Sequence, residues 1–107
     1  MIERIGIADE ADVAAATEHL RAATEGIEGI AEGPSPKAYV DAFGPDSVGV
    51  DVHYWIEDPR QRDLFAIRSA YARAAKTRLD EAGITISPAS KRELQGRIAV
   101  ADSEGTA

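Results

Sequence analysis

A chain of 107 residues with a formal charge of −7 has room for one domain and one core, and it contains no cysteine to staple a fold, ligate a metal or attack a substrate. Its acidity, with Arg60-Gln61-Arg62 and Lys91-Arg92 as the longest basic clusters, argues against a phosphate-binding face for nucleic acid. No stretch reaches the roughly 18 apolar residues of a membrane span, and Met1-Ile2 runs directly into Glu3 and Arg4 with no leader, so this polypeptide is expected to act in solution.

The core is expected to be thin, because 20 of the apolar residues are alanine. In Arg4-Ile5-Gly6-Ile7-Ala8, Ile5 and Ile7 alternate and predict a short strand. Asp9 then stands where a helix N-cap belongs, with Asp12 three residues on. Val13, Ala16, Leu20, Ala23 and Ile27 follow at helical spacing, which predicts a helix over about residues 10–25. Gly26, Gly29, Gly33 and Pro34-Ser35-Pro36 end it. Residues 37–43 and 48–57 both alternate, and Gly44-Pro45-Asp46-Ser47 between them is rich in turn formers, so the pair reads as an antiparallel hairpin.

Asp58-Pro59 supplies an N-cap and a first-turn proline for a second helix. Its inward stripe is Leu64, Ile67, Tyr71, Ala75 and Leu79, and Gly83 ends it. Ile84-Thr85-Ile86 predicts a brief fourth strand, and residues 93–100 one further strand before a polar end. The order β-α-β-β-α-β predicts an α+β ferredoxin-like sandwich, two helices on one face of a four-stranded antiparallel sheet. Residues 1–90 form that domain, and residues 91–107 are a C-terminal strand and polar tail.

Catalytic chemistry is not assembled by these residues. His53 shares a strand face with Asp51 and Trp55, but no third ligand or nucleophile joins them, so no metal, cofactor or catalytic residue is assigned. The first loop, Ala8-Asp9-Glu10-Ala11-Asp12, places three carboxylates where an acylphosphatase of this fold would cradle phosphate, and the chain has no asparagine to orient water. Gly26-Ile27-Glu28-Gly29-Ile30 follows a helix instead of preceding one and is not a nucleotide loop. Tyr54 and Trp55 lack the basic neighbours of an RNA-stacking sheet. A lone exposed Trp fits a subunit contact better.

Taken in order, Pro34-Ser35-Pro36, Lys37-Ala38-Tyr39-Val40 and Gly44-Pro45-Asp46-Ser47-Val48 resemble the C-terminal cytoplasmic domain of MscS-type small-conductance mechanosensitive channels. So do His53-Tyr54-Trp55, where the family's Arg is replaced, and Leu79-Asp80-Glu81-Ala82-Gly83-Ile84; Asp9 matches the acid that starts the family's first helix. The likeness covers residues 2–98. It departs at Ser87-Pro88-Ala89-Ser90, where the family continues into Pro-aromatic-Pro, and Lys91-Arg92-Glu93-Leu94 looks like the start of the family's barrel strand.

The resemblance implies a non-catalytic fragment of a membrane channel whose pore-lining helix and middle β domain precede Met1. It faces the cytoplasm and forms part of a homoheptameric cage around the path of inorganic ions. It implies partners that are other copies of the chain, no nucleic acid, and no membrane insertion by the fragment itself. Tyr39, Phe43 and Trp55 are then the candidate subunit contact, and Asp41, Asp51 and Glu57 the candidate ion-path carboxylates. The alternative is a stand-alone ferredoxin-like module that binds a small ligand. A tight heptamer is not expected of the isolated domain.

Overall fold

The structure is a computed structural model that describes residues 1–8, 12–33, 35–44 and 47–106, without the side chains of residues 42, 43 and 99–106. Three strands, β1 (Ile2–Ala8), β2 (Lys37–Phe43) and β3 (Ser47–His53), form one antiparallel sheet in the order β1-β3-β2. Helices α1 (Val13–Ala22), α2 (Leu64–Glu81) and α3 (Pro88–Thr106) complete an α+β fold.

Period two in the strands separates two faces. Ile5 and Ile7 of β1 and Val48, Val50 and Val52 of β3 are buried. Ile5, Ile7, Val50 and Val52 share one core with Ala16 and Leu20 of α1, Ile67, Tyr71, Ala75 and Leu79 of α2, and Leu94 of α3. The helices therefore contribute their buried sides to the same face of the sheet. Alanine at 16, 72 and 75 lets α1 and α2 sit close to the strands, which is how a sequence poor in large aliphatics still closes a core.

Several expected boundaries shift, each for a local reason. The first helix begins at Val13, because the Asp12 carboxylate accepts the Ala15 N–H at 3.0 Å; the expected cap, Asp9, lies outside the described residues. Asp58-Pro59 opens only a 3₁₀ turn, Pro59–Gln61. Arg62 then turns extended and sends its guanidinium to Glu57 at 2.9 Å, and Asp63 caps α2 through the Ala66 N–H. The stripe of α2 is buried as expected from Ile67 onward, whereas Leu64 is exposed.

The third strand stops at His53 instead of residue 57. Beyond it the chain pairs with the loop after α1, through Ala31 N–H to Trp55 C=O at 2.7 Å and Glu57 N–H to Gly29 C=O at 2.8 Å. Gly29 is required there: its φ is +98°, and a Cβ would meet Ile67 Cδ1 at 2.7 Å.

The C-terminal expectations need the largest correction. The fourth strand reduces to a single antiparallel bridge, Ile7 to Ile86, flanked by Ala8 N–H to Thr85 C=O and Ser87 N–H to Gly6 C=O. The sheet is therefore three-stranded. Residues 93–100, read as a strand starting near Lys91, are helical within α3. The reason is Ser87-Pro88: the Ser87 hydroxyl and carbonyl receive the N–H groups of Ser90 and Lys91, and proline fits the first helical position. Once started, α3 buries Leu94 and lays its first turn against the edge of β1, where Ser90 Oγ accepts the Gly6 N–H at 2.6 Å. An edge that would otherwise present free backbone groups is thereby covered.

Candidate functional site: the outer sheet face

The sheet face opposite the helices collects most of the residues singled out from sequence. Register sets Ile2 beside His53, Arg4 beside Asp51, and Tyr39 on the other side of Asp51. The Tyr39 ring stands edge-on to His53, with centroids 5.3 Å apart. Ile2, Tyr39 and Trp55 are all exposed, so an aromatic and aliphatic row reaches solvent along one end of the sheet.

An ionic row lies next to it. Arg4 donates from Nε and Nη2 to the two Asp51 oxygens at 2.7 and 2.9 Å, and from Nη2 to Asp41 at 2.7 Å. Asp51 is only 8% exposed, so this fork-on-carboxylate geometry is what makes its burial tolerable. The hydrogen bonds from Arg4 and its charge hold the Asp51 carboxyl below its ordinary 3.8, and the same contacts raise the Arg4 guanidinium further above its ordinary value.

Because the folded-state value lies below the unfolded one, the pair stabilises the fold above the unfolded value. That contribution is lost as the pH falls through the folded value. Asp51→Asn is therefore expected to flatten the acid limb of the stability curve below about pH 4. Urea midpoints measured across pH 2–6 on both chains check this, and parallel limbs would refute it.

The expected grouping of Tyr39, Phe43 and Trp55 is only partly assembled. The register slips between Val40 and Ala42, so Asp41 sits in a bulge, and Phe43 lies opposite Val48, a residue of the helix-side face. Phe43 thus falls out of the register row of Tyr39; its side chain lies outside the described residues. The three candidate carboxylates are also not free charges. Asp41 and Asp51 share Arg4, and Glu57 holds Arg62 at 2.9 Å beyond the end of β3.

Sequence reading missed a second ionic centre, on the helix side of the same strand. Glu3 is fully buried and accepts hydrogen bonds from Tyr54 Oη at 2.9 Å, Arg68 Nη2 at 3.1 Å and Arg97 Nη1 at 3.0 Å. It ties β1, the end of β3, α2 and α3 at one point. The alternation itself carried the signal, since position 3 has the parity of Ile5 and Ile7. Burial and the Glu3 charge push the Tyr54 phenol well above its ordinary 10.0, and burial does the same to Tyr71, stacked 5.5 Å away.

Among the described residues no group of three or more His, Cys, Asp or Glu could hold a metal ion, and no helix is long and apolar enough to cross a membrane. No curated protein matches the chain. The family model described as the C-terminal part of the mechanosensitive ion channel MscS matches residues 4–86, which takes in β1 through the Ile86 bridge and ends just before α3. With more than half of its length matched, the chain belongs to the MscS mechanosensitive channel C-terminal domain family.

Proposed function

We propose that this domain is a non-catalytic wall element of the cage that a mechanosensitive channel builds around its ion path, assembled from seven copies and facing the cytoplasm. The observation that carries the reading is the family match over 4–86, taken together with a sheet face that exposes Ile2, Tyr39 and Trp55 next to an ion row in which Arg4 offsets one of the two charges of Asp41 and Asp51. Such a face suits association, since aromatic residues are enriched in contacts and the buried Asp51 already has its partner. The tie between the first strand and the helix layer at Glu3 gives the wall a rigid body. The bridge at Ile86 stands where the fourth strand of a ferredoxin-like sheet belongs, and the domain is read as a reduced member of that architecture.

Within such a cage the carboxylates that act on passing ions are Asp41 and Glu57, both about half exposed, while Asp51 acts through Arg4. At physiological salt only charges within about 8 Å of the path are felt. Reversal potentials of the complete channel polypeptide carrying this domain test the assignment. Asp41→Asn with Glu57→Gln is expected to shift selectivity away from cations; an unchanged reversal potential removes the ion-path role.

A further inference from the structure

A closed ring of identical subunits is built from two different patches, one on each side of every subunit, because a single self-complementary patch closes a dimer and stops. The outer sheet face supplies one patch. The opposite layer carries a second feature that the fold leaves unexplained: Phe65, in the first turn of α2, is 77% exposed, the highest value among the exposed large apolar residues. The stripe that α2 buries begins at Ile67 and excludes it.

Charge separates the same two regions. Residues 59–81, which include all of α2, hold six basic side chains and three acidic ones, in a chain whose net charge is −7. Residues 37–57, the hairpin that presents Tyr39 and Trp55, hold four acidic side chains and one basic one. Each region thus pairs an exposed aromatic with a net charge opposite to that of the other. Helix α2 and Tyr39 lie on opposite layers, because α2 packs on the Val50–Val52 side and Tyr39 stands on the Asp51 side, although Arg62 ahead of α2 already holds Glu57 within one copy.

We infer that neighbouring copies of this chain meet head to tail, the Phe65 end of α2 in one copy seating on the Tyr39–His53–Trp55 face of the next. The inference rests on the assembly reading above and names its counter-surface. Opposite net charge sets the orientation, and the aromatic contact, once drained of water, holds it. The contact leaves each copy with one unused patch of each kind, which is the condition for a ring to propagate and close.

The absence of cysteine makes a direct test possible. Ala66→Cys, beside Phe65, and Lys37→Cys, paired with His53 on the Tyr39 row, place single thiols at exposed positions and leave the aromatic residues in place, and a short bis-maleimide traps transient contacts even where the isolated domain associates weakly. A 1:1 mixture of the two variants is expected to give several-fold more cross-linked dimer than either alone, with a yield that falls as salt rises. Thr85→Cys, an exposed position outside both patches, sets the background, and circular dichroism verifies that each variant is folded. If Lys37→Cys alone cross-links as well as the mixture, the sheet face pairs with itself; that overturns the head-to-tail contact and leaves the sheet-face reading standing. If no variant or mixture exceeds the Thr85→Cys background, both readings fail together.

Discussion

Glu3→Ala is expected to lower the stability of the domain by about 3 kcal/mol, a large fraction of what a domain of this size possesses. The carboxylate is fully buried and receives Tyr54, Arg68 and Arg97. Removing it strands two guanidiniums and a phenol that were arranged around it. Breaking one partner of a buried ion pair costs about 3–5 kcal/mol, and the lower end applies because Arg68 and Arg97 side chains are 35% and 27% exposed and regain some water. Glu3→Gln keeps an acceptor for Tyr54 and loses only the charge, so its effect is expected to be smaller. Urea unfolding of the three chains at neutral pH measures the difference. Midpoints for Glu3→Ala within error of the parent would mean that the centre contributes nothing.

Leu79→Ala is expected to match it, at about 3 kcal/mol, by a different route. Leu79 is fully buried near the end of α2, and its carbonyl accepts the Ile84 N–H as the chain turns out of the helix at Gly83. The cluster it belongs to includes Ala16, Ala23, Ala72 and Ala75. Alanines have no rotamers with which to fill a void, so the cavity left by the truncation stays open. Leu64→Ala, at a position 37% exposed on the same helix, is the control, with an expected loss under about 1 kcal/mol. Similar losses at both positions would contradict the assignment of the core stripe.

Much of this architecture is written in local periodicity. Alternation at Ile5 and Ile7 and at Val48 through Val52 gives two strands and their inward faces, and the 67-71-75-79 spacing gives the buried side of α2. Legibility fails where a contact distant in sequence decides. The bulge at Asp41 belongs to a bond with Arg4, 37 residues away, and it takes Phe43 out of the row that strict alternation assigns to it. Capping by Asp63 instead of Asp58 follows from Arg62 turning toward Glu57 and Glu28.

The C-terminal helix is the clearest case. Residues 91–94 have no pattern that separates strand from helix, and the outcome is set by Ser87 capping and by Leu94 reaching the core. The outer face was half legible. Tyr39, Asp51 and Trp55 share a parity, but nothing local announces that Arg4 neutralises Asp51, or that Glu3 on the reverse side of the same strand gathers two arginines.

The proposed assembly joins identical copies of this domain into a channel cage through the outer sheet face. It is tested most directly by the mass of the complete channel polypeptide carrying this domain, purified in detergent and measured by light scattering, beside the same polypeptide with Tyr39→Asp and Trp55→Asp. A single multi-subunit species is expected for the parent, and a shift to smaller species for the variant. A parent that runs as a monomer, or a variant whose assembly is unaltered, would contradict it.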